Sequence, residues 1–548
     1  MKMKSIKYWG TACLLLLGMT ACIDDESTLA TGNLRAINIT SPGTKDTIYV
    51  GYLDHLSITP SVSSGSESAT DGLTYLWEIG DEPGKKPENF ITLSEDAQLN
   101  AVINSEISSS PYMLRLTVTD TKNENLKYSK LWQVYVQSSF IDGIAVSSTL
   151  DDKTSDFSLI MNKDLTVNYD RDDKIYHNIL RSATGAPCDR LLTQLTFSVY
   201  SGSFTSTSTE NSIWAVTADG ALYRYDTKDF SLDGTSLNGD NILTYTANIP
   251  KFTSTFIGHN LLFAISDKTI YSLTPASAST FGWQDETTSQ YTIDNNVVIT
   301  SPTSGNYNVF WLDSKTGHII GLNYTMGTTI MYDNALAAKD GVFDPQDMGN
   351  YSAIAGGYTS DGKRPAFLMK NKTTGEYSIC LLTFYQASIW NEDYTVELVP
   401  EQIPAAERRI DIPHAGKELL DKAVSVFFAR NQAILYVVTA NGVYGINFAT
   451  NTPEVYTTAK FTPANGEKIT KAKLFVQGAY ACTTTNWPER DELAYNYNAL
   501  VIATQSSTYE GKIIVIPMKQ IGTGNLDTAK AKVYSGFGKI LDFCATGY

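Results

Sequence analysis

Between residues 36 and 138 apolar and polar positions alternate with period two, the spacing of strands rather than helices. The clearest runs are Leu73–Ile79 (LTYLWEI), Tyr112–Asp120 (YMLRLTVTD) and Leu131–Val136 (LWQVYV). In the second, Leu114, Leu116 and Val118 fall on one side, as in a strand with one face on a core. Past residue 143 the pattern becomes pairs of apolar runs joined by a polar turn. Seven such pairs are predicted as hairpins, at 156–169, 213–225, 261–273, 309–322, 366–382, 434–447 and 499–516, roughly 50 to 70 residues apart. Asp219-Gly220 and Asn441-Gly442 are the strongest turn signals, because these residue types tolerate positive φ.

A further strand precedes several hairpins, as at Ala423–Phe428 and Lys473–Gln477, and a weaker fourth follows others, as at Tyr394–Val399. Four strands per unit in seven units predict an all-β chain whose residues 143–548 form a seven-bladed β-propeller. The first hairpin has no evident strand ahead of it, whereas Lys539–Cys544 (KILDFC) stands alone at the end. That last strand is expected to complete the first blade and close the ring. A stacked β-solenoid fits less well, since its repeats are shorter and more regular.

Residues 36–138 carry Tyr75-Leu76-Trp77, then Gly80-Asp81, then Tyr112, Leu114, Leu116, Val118 and Asp120. These resemble the marks of the PKD-type immunoglobulin-like β-sandwich, Tyr-x-Trp and Tyr-x-Leu-x-Val-x-Asp, the second with one residue slipped. The resemblance implies a buried Trp77 beneath two packed sheets.

Near the start of the chain stands Cys22. Lys2, Lys4 and Lys7 precede the apolar run WGTACLLLLG and the small pair Thr20-Ala21, the order of a secretory signal. The run is too short to span a bilayer as a mature helix. With Met19 and Ala21 before Cys22, the segment resembles a bacterial lipoprotein signal. This implies a signal peptide at 1–21, lipid on Cys22, and a tether over 22–35; several acyl chains give lasting attachment where one is marginal. An ordinary signal with an incidental cysteine is the alternative. Asp24-Asp25-Glu26 resemble the acidic run that sends lipoproteins of Bacteroidota to the outer face of the outer membrane.

A sandwich followed by propeller-like repeats resembles the PKD-like surface lipoproteins of Bacteroidota. The resemblance implies an accessory component of a SusC/SusD-type uptake system, with a SusC/SusD-like transporter complex and a glycan or peptide ligand as partners. It implies no cofactor and no enzyme activity. A surface-anchored propeller hydrolase or lyase is the alternative, and a purely structural envelope scaffold a third reading.

Charge narrows the partners. The chain carries −16, and removing Lys2, Lys4 and Lys7 with the signal gives −16 − 3 = −19. Such a balance repels nucleic acid. Cys188, Cys380, Cys482 and Cys544 are widely separated, with no CxxC spacing and no pairing legible from sequence.

Catalytic or metal-binding sets are not evident. His55, His177, His259, His318 and His414 are dispersed, and neither HExxH nor GxSxG occurs. Gly357–Lys363 (GYTSDGK) lacks the following helix that a phosphate loop needs. Asp151-Asp152 and Asp172-Asp173 suit calcium or catalysis in principle, but solvated turns are the commoner use. For binding, Trp283 (FGWQDE), Trp390 (SIWNED) and Trp487 with Tyr495 and Tyr497 (TTNWPERDELAYNYN) lie in polar loops. Trp283 and Trp390 are placed between third and fourth strands and Trp487 between first and second, connections on one propeller face. Exposed rings there suit sugars, peptide side chains or a partner protein; capping of sheet edges is the competing use.

Overall fold

The computed structural model describes residues 36–64, 67–68, 71–81, 89–140, 142–166, 169, 171–201, 209–237, 242, 249–258, 261–273, 290–300, 309–325, 329–333, 342–359, 364–383, 388–402, 404–477, 494–519 and 522–547. With 57% of residues in strands and 4% in helices, the chain is all-β. It divides into two units. One comprises residues up to Val50, His55–Val102 and Ser108–Val136; the other comprises Gly51–Asp54, Ile103–Ile107 and Gln137–Tyr548.

In the first unit a five-stranded sheet carries, in spatial order, Thr47–Gly51, Leu126–Gln137, Tyr112–Asp120, Leu73–Gly80 and Phe90–Ser94. Leu114, Leu116, Val118, Trp77 and Ile79 are buried, as the period-two pattern requires. Trp77 stacks on Trp132 with ring centroids 5.5 Å apart, and its indole N–H donates to Asp96 O at 3.0 Å. The sequence pattern did not single out Trp132, although it is as buried as its partner. Asp120 ends its strand buried and caps the next turn, accepting from Lys122 N at 3.1 Å and Asn123 Nδ2 at 2.6 Å.

The second unit contains, among the described residues, seven antiparallel sheets of three or four strands and one two-stranded ribbon; in the larger sheets each strand pairs with its sequence neighbour, except that in sheet V the ribbon intervenes between the third and fourth strands. Sheets II to VII begin at Leu192–Ser201, Phe252–Gly258, Ile293–Thr300, Tyr351–Tyr358, Ala423–Phe428 and Lys468–Leu474. Sheet I differs. Its leading strand is Lys539–Thr546, from the chain's end, which pairs antiparallel with Gly143–Thr149 before Asp156–Met161 and Lys174–Tyr176 follow.

Neighbouring sheets pack face to face. Trp214 and Leu222 of II meet Leu262 and Ala264 of III; Phe263 and Ile265 of III meet Trp311 and Ile320 of IV. Phe310 of IV packs with Phe367 and Met369 of V, Leu368 and Ile379 of V with Leu435 and Val437 of VI, and Val438 of VI with Ile502 and Ile514 of VII. Ile144, Val146 and Phe543 of I then close on Val501 and Val515 of VII. Phe157 of I meets Tyr225 of II edge-on at 5.0 Å. The order of packing is therefore cyclic.

A second regularity lies in the leading strands. Each has a register shift: 192/194, 252/254, 293/298, 353/355, 423/425, 469/471, and in sheet I opposite 147/148. A bulge leaves backbone groups outside the ladder. Each leading strand also lies at the edge of its sheet, and polar side chains of the adjoining sheet bond backbone groups there. Gln194 Oε1 accepts from Thr255 N at 2.9 Å and its Nε2 donates to Thr255 O at 2.8 Å. Asp294 accepts from Ala353 N at 2.7 Å, and Ser425 Oγ from Ala472 N at 2.9 Å. Replacing Gln194 with alanine is expected to cost about 1–3 kcal/mol by stranding Thr255 N, read as a lowered urea midpoint.

Three sequence expectations need correction. The hairpin at 156–169 does not form: Asp156–Met161 pairs with Lys174–Tyr176 across a longer connection. The strand placed at Lys473–Gln477 runs instead over Lys468–Leu474. The fourth strand of sheet V is Ala406–Asp411, while Glu397–Val399 pairs with Ile389–Trp390 in a separate ribbon.

Cys188, Cys380 and Cys544 are free thiols, and Cys482 lies outside the described residues. Burial pushes the Cys380 thiol up to about 12. Cys380 is accordingly expected to resist iodoacetamide at pH 8 in the native protein and to react on denaturation, as peptide mass analysis will register.

Candidate functional site

Sheet V departs from its neighbours between its third strand, Tyr377–Leu382, and its fourth, Ala406–Asp411. Within that connection the short strands Ile389–Trp390 and Glu397–Val399 pair, among the described residues, only with each other, a two-stranded ribbon. Asn391 builds its turn. Asn391 Oδ1 accepts from Thr395 N at 2.8 Å and Val396 N at 3.0 Å, and its Nδ2 donates to Thr395 Oγ1 at 3.0 Å. Thr395 Oγ1 in turn donates to Asp393 Oδ1 at 2.8 Å. An asparagine able to bond its own backbone this way is a turn-former. Tyr394 sits at φ 58°, a strained setting for a bulky residue.

Held in this shape, the ribbon exposes Ile389, Trp390 (43%), Tyr394 (79%), Val396 and Leu398 (61%). Single exposed apolar residues are ordinary; five within ten positions form a patch of the kind that marks an interaction surface. The indole N–H of Trp390 donates to Ser388 Oγ at 3.0 Å, which orients the ring from its own chain.

The other proposed aromatic positions fare differently. Tyr495 is buried in the cluster between sheets VII and I, so its ring is core packing and not a platform. Tyr497 is half-buried, with the Arg430 guanidinium 3.8 Å above its ring. Trp283, Trp487 and Cys22 lie outside the described residues. Trp390 does fall between the third and fourth strands of its sheet.

Both acidic pairs serve the fold. Asp151 Oδ1 accepts from Thr154 N at 2.8 Å and Lys153 N at 2.9 Å, and these bonds hold its carboxyl at about 2. Asp152 pairs with Lys539 at 2.7 Å. Asp173 pairs with Lys532 at 3.1 Å and accepts from Tyr534 OH at 3.0 Å. Among the described residues, no group of three His, Cys, Asp or Glu side chains converges as a metal site requires.

Fold and site together define an all-β protein of consecutive antiparallel meander sheets with one exposed apolar ribbon among the described residues. No family model matches the chain, and no curated protein matches it. Among solved structures it is similar to apo AztD from Citrobacter koseri, at 11% identity over 87% of this chain and 99% of that one, TM-score 0.32. It is also similar to KlHsv2 with loop 6CD replaced by a Gly-Ser linker, at 10% identity over 73% and 100%, TM-score 0.31.

Proposed function

We propose that the chain is a surface lipoprotein, anchored through Cys22, that acts as a binding and accessory subunit of a SusC/SusD-type nutrient-uptake system. In this reading the second unit is a seven-bladed β-propeller. Its support is the cyclic packing of the sheets and the leading strand supplied to sheet I by the chain's end. The first unit is a PKD-like sandwich, supported by the buried Trp77 and the turn-capping Asp120. The proposed partners are the transporter complex and a glycan or peptide; the role is binding, not catalysis.

The observation that carries the binding role is the ribbon at 389–399, which holds apolar side chains in water at a cost that a lone globular protein avoids. Solubilising the outer membrane and purifying the SusC/SusD-like pair through a tag on the transporter tests the reading. The chain is expected to copurify in comparable amount. Recovery of an intact transporter pair without it contradicts the proposal.

A further inference from the structure

We propose that the ribbon at 389–399 is the element that docks this chain onto a partner protein, and that the partner's contact surface combines basic and apolar side chains. The inference rests on the accessory-subunit reading and assigns it a site.

Three features choose a protein over other occupants. The first is charge. The ribbon contains Glu392, Asp393 and Glu397 and no lysine or arginine, and none of the three acidic groups forms an ion pair among the described residues. A complementary surface is therefore basic. The same charge disfavours a second copy, which would bring its own three acids and, once the signal is removed, a net −16 − 3 = −19 against them.

The second feature is the kind of apolar surface. Ile389, Val396 and Leu398 are aliphatic, and such side chains gain from burial against other apolar groups rather than from stacking on a sugar. The Trp390 indole N–H, the donor that would contact a sugar hydroxyl, is already bonded to Ser388. Third, among the described residues each strand pairs on one edge only, leaving the outer edges open to strand addition.

The test uses the full-length chain in detergent and the purified transporter pair, with binding followed by biolayer interferometry at 50 and 300 mM salt. The expected result is that Trp390→Ala and Leu398→Ala each weaken binding about tenfold or more, as anchors at an interface centre do. The double variant Glu392→Lys, Asp393→Lys is expected to slow association about tenfold and to flatten its salt dependence. Because these side chains are exposed, melting temperature is expected to stay unchanged in all of them, which separates docking from folding. Wild-type binding that the variants reproduce overturns the inference and leaves the accessory role standing. Failure of the wild type to bind overturns both. Two further outcomes also overturn the inference: variants that lose a glycan while keeping the pair, and a dimer in sedimentation that depends on Trp390.

Discussion

A chain ending at Gly538 is expected not to fold its second unit. The missing residues supply the leading strand of sheet I, with partners from Gly143↔Thr546 to Thr149↔Lys539. Without them Gly143–Thr149 loses one of its two ladder partners, Phe543 leaves the cluster between sheets I and VII, and Leu195 N loses its acceptor, Asp542. Ladder bonds contribute about 1 kcal/mol each and a buried phenylalanine about 2–3 kcal/mol. The sum reaches the roughly 5–15 kcal/mol that typically stabilises a folded domain. The first unit contains none of the deleted residues. Limited proteolysis is therefore expected to leave a fragment near residue 136 and degrade the rest; a full-length resistant core would show that the closing strand is dispensable.

The second large effect is expected at Asp542. Its carboxylate is fully buried and accepts from Leu195 N at 2.7 Å, while Lys471 and Lys473 reach it at 3.0 and 2.7 Å. One side chain thus joins the leading strands of sheets I, II and VII. Lys471 Nζ also donates to Leu541 O, and Lys473 Nζ to Phe543 O, each at 2.8 Å. Asp542→Ala leaves two ammonium groups without their counter-ion. Breaking a buried pair costs about 3–5 kcal/mol; since both lysines keep some solvent access, about 3 kcal/mol is expected, seen as a lowered melting temperature.

The pH dependence follows from the direction of the shift. Burial pushes the Asp542 carboxyl up, but the charges of Lys473 and Lys471 outweigh it and hold it below the ordinary range. A depressed carboxylate stabilises the fold above its unfolded value, about 3.9, and that contribution is lost as pH falls through the lower folded value. The gap in melting temperature between wild type and Asp542→Asn is thus expected to be full at pH 6 and to shrink below about pH 4. A gap that stays constant to pH 2 would remove the ion pair from the account.

The central hairpins of sheets II to VII were legible because their strands are buried apolar runs around short turns, as at Ile434–Thr439 and Gly442–Asn447. Gly220, at φ 90°, shows why Asp-Gly marked one of them. The leading strands were harder to read, since a bulge breaks the period of two: Ile293–Thr300 reads IDNNVVIT, with Asn295 and Asn296 in the left-handed region. Sheet V hid its fourth strand because the ribbon at 389–399 intervenes and offers its own alternation. Tyr495 was misread for the opposite reason. Its polar neighbours suggest a loop, yet it folds back between sheets VII and I. The bonds that Gln194, Asp294, Ser425 and Asp542 make to a neighbouring leading strand had no local signal, because each reaches a residue distant in sequence. Of the candidate site, Trp390 is legible from its polar surroundings, whereas Tyr394, Val396 and Leu398 read in sequence as part of a sheet strand and acquire their meaning only once exposed.

We propose that the protein works at the outer face of the outer membrane, held there by Cys22. Treating intact cells with proteinase K and following the chain by immunoblot tests it most directly. The wild-type chain is expected to be cut while a periplasmic marker survives, and Cys22→Ser to leave the outer-membrane fraction. A wild-type chain that remains whole on intact cells, yet is cut once they are lysed, would contradict it.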